Sequence, residues 1–223
     1  MIKQIVDGRW YISETDTHFE PQCYHGTDYS YQFFHREKLF ETFKNLNFIP
    51  REIIDIGAHI GFWARDFVKN CNKLHCFEPH PINFECLQKN LNTEVTDNDA
   101  DVVLYNCALG EEEQPVYMHF VEHNTGETHV GEELKDSFYN GKFIEGKANA
   151  IMYSLDSFNL SPDFIKIDVE HYEMKVLKGA KETIEKHRPY ILVEANEKLV
   201  ENFIIDLGYE NLYKDRDWLF KPL

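Results

Sequence analysis

Apolar strands alternating with amphipathic helices along these 223 residues predict an α/β fold, a mostly parallel sheet wound on both faces. Three observations carry that expectation. Between Ile53 and Pro79 the run I-I-D-I-G-A-H-I-G, a helical stretch and L-H-C-F-E-P compose a β-α-β unit with a glycine-bearing turn. Further strands and helices alternate downstream of it. The chain then closes on two short apolar runs, 209–213 and 218–220, around Lys214-Asp215-Arg216-Asp217, which reads as a hairpin.

Residues 1–30 are rich in Tyr, His and Asp without sustained periodicity and read as a short strand or irregular cover. From 31 to 48, Phe33, Leu39, Phe40, Phe43 and Leu46 fit one face of a helix, and Pro50 ends it. Residues 52–56 form the first core strand, short and apolar as a strand covered on both faces should be. A helix follows at 62–70, with Trp63 and Phe67 on one side. The second strand is 74–77, and the helix 81–92 turns Phe84, Leu87 and Leu91 inward. The polar stretch 93–101 reads as a loop, and 102–106 as the third strand.

Residues 116–121 read as an extra strand. The segment 122–150, dotted with Gly126, Gly131, Gly141 and Gly146, reads as an insertion with a short helix at 132–139, of the length that functional lids have. Strand four is 164–168. One helix is expected over 173–186, burying Val176, Leu177, Ala180 and Ile184, then strand five at 190–195 and a helix at 199–207. The whole is a single domain: a cover segment and helix over 1–50, and the α/β unit with its insertion over 51–223.

Composition excludes several classes. With 43% hydrophobic and 14% aromatic residues the chain is globular in character, and no apolar run reaches the roughly 20 residues of a membrane span. The first residues lack the basic, apolar and small-residue order of a secretory signal, so a cytoplasmic location is expected. A formal charge of −16 argues against a nucleic-acid backbone as partner, since counterion release needs a basic face. Five cysteines without C-x-x-C spacing read as reduced core thiols.

The chemistry begins at the turn. A dinucleotide site needs G-x-G-x-x-G for its pyrophosphate; here the turn is Gly57-x-x-x-Gly61 with Asp55 just before it. A carboxylate there suits a ligand with an ammonium group and no phosphate. S-adenosylmethionine has that chemistry, and Glu78, closing the second strand, is placed to accept its ribose hydroxyls. Asp168 at the end of strand four, Glu170 two residues on and Glu194 near the end of strand five put three carboxylates at the edge where open α/β sheets bind ligands. They are candidates for a base. A hard cation such as Mg²⁺ is their alternative use, not the expectation. Asn196 is an even case beside Glu194. His119, His123 and His129 match no helical ligand pair and read as surface or lid residues.

The order D-I-G-A-H-I-G, F-E-P-H-P, N-C-A-L-G, N-T-G, S-L-D-S and F-I-K-I-D-V-E-H-Y-E-M-K-V-L-K-G-A resembles the FkbM-type methyltransferases of the class I S-adenosylmethionine-dependent fold, over about residues 53–196. The resemblance implies a seven-stranded Rossmann-like sheet with an antiparallel C-terminal hairpin. It also implies O-methylation of a hydroxyl on a small molecule or sugar, with S-adenosylhomocysteine as product. Asp55, Gly57, Ala58, His59 and Gly61 would line the methionine end, Glu78 with Pro79 the ribose, and Asn106, Cys107 and Ala108 the adenine. Asn124 of the N-T-G block would face the acceptor; apart from the resemblance, Glu194 by its strand-end position and Tyr29 and Tyr31 from the N-terminal side are further candidates for that contact. In the family pattern D-V-E-G-Y-E a glycine stands where this chain has His171, a third candidate for a catalytic role beside Asp168 and Glu170. Acceptor specificity is expected in the N-terminal cover and the insertion. Two other readings stay open: a catalytically silent S-adenosylmethionine-binding protein, and a nicotinamide-dependent oxidoreductase, against which the missing G-x-G-x-x-G counts.

Overall fold

The computed structural model describes residues 1–5, 10–24, 31–92, 100–121, 123–131, 148–195 and 197–223. The expected helix at 132–139, most of the loop at 93–101, Tyr29 and Asn196 lie outside the described residues, as do the side chains of Tyr31, Phe33, His119 and His129.

The chain opens with a hairpin of β1 (Ile2–Ile5) and β2 (Trp10–Ser13), then α1 (Phe19–Tyr24) and α2 (Tyr31–Asn45). The β-α-β unit follows as β3 (Glu52–Ile56), α3 (Ala64–Phe67) and β4 (Lys73–Phe77). Next come α4 (Pro81–Asn92), β5 (Asp101–Tyr105), β6 (Ala108–Leu109), β7 (Gln114–Val121), β8 (Asn124–Gly131) and β9 (Ala148–Tyr153). A short 3-10 turn at Leu155–Phe158 leads to β10 (Phe164–Ile167), α5 (Glu173–Gly179), α6 (Lys181–His187), β11 (Tyr190–Glu194), α7 (Lys198–Asp206), β12 (Tyr209–Lys214) and β13 (Asp217–Pro222).

The main sheet has seven strands in the order β12-β13-β11-β10-β3-β4-β5. Strands β5, β4, β3, β10 and β11 run parallel, and β13 is antiparallel to both β11 and β12. Chain order therefore reverses between β3 and β10, which makes their carboxyl ends the crevice of the fold. On one face Ile54, Ile165 and Ile191 pack with Val176, Leu177 and Ile184 of α5 and α6 and Val200 and Ile204 of α7. On the other, Ile53, Leu74 and Phe164 pack with Leu39 and Phe43 of α2, Phe67 of α3 and Leu87 and Leu91 of α4.

Three expectations change. The helix after β3 is only one turn long, because Gly57 to Trp63 stay in turns. The helix expected over 173–186 is two helices that break at Ala180, although its buried stripe is as expected. There Gly179 runs against the second sheet, where a Cβ would stand 1.8 Å from the Gly110 carbonyl oxygen. The strand expected at 116–121 is β7, and the described parts of the 122–150 insertion are not a loop: β6, β9, β7 and β8 form a four-stranded sheet of their own, antiparallel apart from the β6–β9 pair. The N-terminal cover packs on α4, where the buried Asn90 amide donates to the Tyr11 and Ile60 carbonyls and its oxygen accepts from the Tyr11 amide.

Gly57 follows β3 with φ +77°, a region that L side chains avoid, and a Cβ there would lie 1.8 Å from the Asp168 carbonyl oxygen. The first turn and the loop after β10 therefore touch backbone to backbone. Gly57→Ala is expected to lower the unfolding free energy by about 2 kcal/mol or more, from strain and overlap together. Urea unfolding checks this; a loss under about 0.5 kcal/mol, the size of an ordinary surface change, would show that the contact gives way freely.

Candidate active site

A cavity of about 610 Å³ opens over the carboxyl ends of β3, β4 and β10. Gly57 and His59 from the first turn, Glu78 and Pro79 after β4, and Asp168 and Glu170 after β10 line it. The second sheet, through Ala108, Met118 and Val130, and the N-terminal His18 and Phe19 supply the other walls. Both segments expected to govern the acceptor thus reach the cavity.

Glu78 is 4% exposed. Its Oε2 accepts from the His59 amide and its Oε1 from the His80 amide, each at 2.8 Å. Burial pushes its carboxyl up to about 7, against the pull of those two hydrogen bonds. The Asn83 side chain hydrogen-bonds it as well, which leaves the carboxylate one lone pair for a hydroxyl donor. Asn83 and Asn124 also line the cavity, and their side-chain oxygens are buried without a hydrogen-bond partner. Buried polar atoms of this kind call for a ligand or water. Asn106 does not line the cavity; its side chain donates to the carbonyls of Glu78 and Pro79 and holds that turn in place.

A chain of hydrogen bonds closes the top. Asp16 Oδ1 accepts from the amides of His18 and Phe19, and its Oδ2 from the amide and hydroxyl of Thr125, the hydroxyl at 2.5 Å. Thr125 Oγ1 is also 2.8 Å from His59 Nε2. Since the one hydroxyl proton goes to Asp16, His59 Nε2 is the donor in that pair. Burial holds the His59 imidazole down at about 4, so the ring is neutral at physiological pH. The Phe19 ring lies 4.5 Å from that of His59.

The floor is ionic. Asp55 is completely buried and does not line the cavity; its Oδ1 is 3.2 Å from Lys166 Nζ. The same ammonium is 3.3 Å from Asp168 Oδ2. The expectation that Asp55 meets a ligand ammonium is therefore corrected: the cation beside it is the protein's own. Burial, the largest influence, works to raise the Asp168 carboxyl; the Lys166 charge, a hydrogen bond from Glu194 and the Arg216 charge together outweigh it and hold the group below its ordinary value. Ala58 and Gly61 sit behind the turn, Ala58 in the core and Gly61 against Leu87.

Asp168, Glu170 and Glu194 offer oxygens within 4.8 Å of one another, the spacing a divalent cation would use. Lys166 and Arg216 already give Asp168 and Glu194 cationic partners. Glu170 is pushed up to about 7 by burial and by the Asp168 charge. Glu194 is pushed up to about 9 by burial and Asp168, although Arg216 pairs with it. Glu194 and His171 face a second cavity, of about 300 Å³, that shares Glu170 and Arg216 with the first. His171 is exposed and does not reach the main cavity. It takes φ 72° and Glu170 φ 47°, which explains a glycine in the family pattern at this point and marks His171 as a residue held in strain.

Sequence reasoning missed Lys166, Arg216, Asp16 and Asn83. Lys166 did carry a signal, a lone charge inside the apolar strand F-I-K-I. Asp16, in an aperiodic stretch, carried none.

The family model for the methyltransferase FkbM domain matches residues 55–210. Among solved structures, the methyltransferase FkbM from Methylobacillus flagellatus KT is similar with a TM-score of 0.54 and 21% identity, over 77% of this chain and 43% of that one. The ribosomal protein L11 methylase from Lactobacillus delbrueckii subsp. bulgaricus has a TM-score of 0.48 and 8% identity, over 86% of this chain and 80% of that one. No curated protein matches the chain. The first of these likenesses shows the fold, and the chain spans less than half of that protein's length.

The raised carboxyls set a pH dependence. Glu170 and Glu194 bind protons in the folded state that they release when unfolded, so each subtracts stability as pH rises from near 4.5, up to about 7 for Glu170 and about 9 for Glu194. Glu194→Gln, which keeps the shape of the protonated acid, is expected to flatten the fall in stability between pH 5 and 9 seen by denaturant unfolding of the parent. An unchanged slope would place the Glu194 titration elsewhere.

Proposed function

The chain belongs to the FkbM methyltransferase domain family, and from that premise we propose that it is an S-adenosylmethionine-dependent O-methyltransferase acting on a hydroxyl of a small molecule or carbohydrate. The observation that carries the reading is the set of polar groups around the main cavity. They are mostly acceptors, Glu78, Asn83, Asn124, Asp168 and Glu170, and Arg216 is already paired with Glu194. That set suits hydroxyl and ammonium donors and offers little to a pyrophosphate.

Glu78, with Pro79 beside it, would hold the ribose hydroxyls, with Cys107 and Ala108 beside the adenine and Gly57 and His59 along the methionine end. S-adenosylmethionine supplies a methyl group on a sulfonium that leaves as a neutral thioether. What the protein adds is alignment and a place for the hydroxyl proton. Glu170, raised to about 7 at the boundary of the two cavities, is matched to take that proton near neutral pH. Asp168, held low by Lys166, is the weaker base and the firmer anion. The acceptor would approach Glu170 with Asn124 on the side of the second sheet and Glu194 and His171 on the side of the second cavity.

Isothermal titration with S-adenosylhomocysteine tests the reading. The folded protein should bind it, and Glu78→Ala should weaken binding by about tenfold or more, the loss of charge-assisted hydrogen bonds. No binding, or NADH binding in its place, sinks the proposal. With a radiolabelled methyl donor and a panel of hydroxyl acceptors, Glu170→Gln should cut turnover by about 100-fold or more while cofactor affinity stays within a few fold. Ordinary turnover in that variant would remove Glu170 as the base, and cofactor binding with no turnover on any acceptor would favour a silent binding protein.

A further inference from the structure

Lys166 sits in the middle of the sheet, 3% exposed, on a strand whose other residues are Phe164, Ile165 and Ile167. Its partners in the parallel ladder are Asp55 on β3 and Leu192 on β11. The side chain shares its face with Phe164 and passes near Trp63, whose ring centre is 5.7 Å from Nζ. An apolar residue would suit that place. Buried ion pairs commonly stabilise no better than apolar side chains of the same volume, so packing alone does not account for a lysine here.

We propose that Lys166 is a positioning residue for the methyl-transfer site: its ammonium, held between Asp55 and Asp168, fixes the Asp168 carboxylate at the cavity floor as an anion for the cationic end of the methyl donor. The inference rests on the S-adenosylmethionine reading above. Asp55 serves Lys166 and not the ligand, since it is completely buried, does not border the cavity, and lies 3.2 Å from Nζ. Lys166 serves Asp168, which does border the cavity and lies 3.3 Å from the same nitrogen. A negative group beside a sulfonium favours the charged donor over the neutral thioether product, which promotes exchange of product for fresh donor.

Other charges also face Asp168. They are His59 from the first turn, Glu170 and Glu173 after β10, Glu194 from β11, and Arg216 and Asp217 from the β12–β13 hairpin. Burial opposes ionisation of Asp168, and among the charges that favour it Lys166 is the strongest. It is also the one that Asp55 holds from the side away from the cavity.

The test is the double variant Asp55→Val/Lys166→Met, which removes the two buried charges together and takes from Asp168 its lysine partner; its melting temperature serves as the folding control. Aspartate side-chain carbon resonances, with the Asp168 signal assigned by Asp168→Asn, report the titration without any ligand. Asp168 should titrate about one pH unit or more higher in the double variant. By calorimetry, the preference for S-adenosylmethionine over S-adenosylhomocysteine should fall by about tenfold. An Asp168 titration or a donor-to-product preference that is unchanged in the folded variant overturns the proposal. A shifted titration in a protein that binds neither ligand upholds the hold of Lys166 on Asp168 and overturns the cofactor reading instead.

Discussion

Strands β3 and β10 lie side by side where chain order in the sheet reverses, and the turn that leaves β3 is pressed onto the loop that leaves β10. The missing Cβ of Gly57 permits that contact, with the Asp168 carbonyl where a side chain would have to go. One layer below, the same two strands face Asp55 against Lys166 in ladder register. The backbone contact sets the distance between the first turn and the Asp168 carboxylate. The ion chain under it sets the charge of that carboxylate.

Carboxyl groups a few ångströms apart at this edge are driven in opposite directions by their surroundings. Asp168 has a lysine and is held low; Glu170 has burial and the Asp168 charge and is raised; Glu194, though paired with Arg216, is raised further. Divergent environments of this kind separate an anion from a proton acceptor within one site. Strain adds to the picture, since Glu170 and His171 both take left-handed backbone in the loop that carries the change from anion to acid.

The cavity is a product of three parts of the chain. The parallel sheet supplies the floor, the second sheet one wall, and the N-terminal segment the cover. Asp16, Thr125 and His59 tie one residue from each part into a single hydrogen-bonded chain. Phe19 extends that junction with an apolar face, resting on His59 and on Gly126, where a Cβ would meet its ring at 2.5 Å.

The sequence by itself determined the core strands, the glycine turn, the closing hairpin and the carboxylates Glu78 and Asp168 at the strand ends that border the cavity. Those features depend on neighbours a few positions apart: period-two and period-3.6 apolar spacing, a glycine where φ is positive, a carboxylate at a strand end. Tertiary structure alone decided that Asp55 belongs to Lys166, that Asp16 belongs to Thr125, that Arg216 belongs to Glu194, and that the strand expected at 116–121 joins β6, β8 and β9 in a second sheet. Asp55 and Lys166, like Asp16 and Thr125, are more than a hundred residues apart in the chain. Pairing at that range is set by which strands become neighbours, and no local pattern records it. The same reason turned Asp55, correctly placed at the turn by its motif, from a ligand contact into the anchor beneath one.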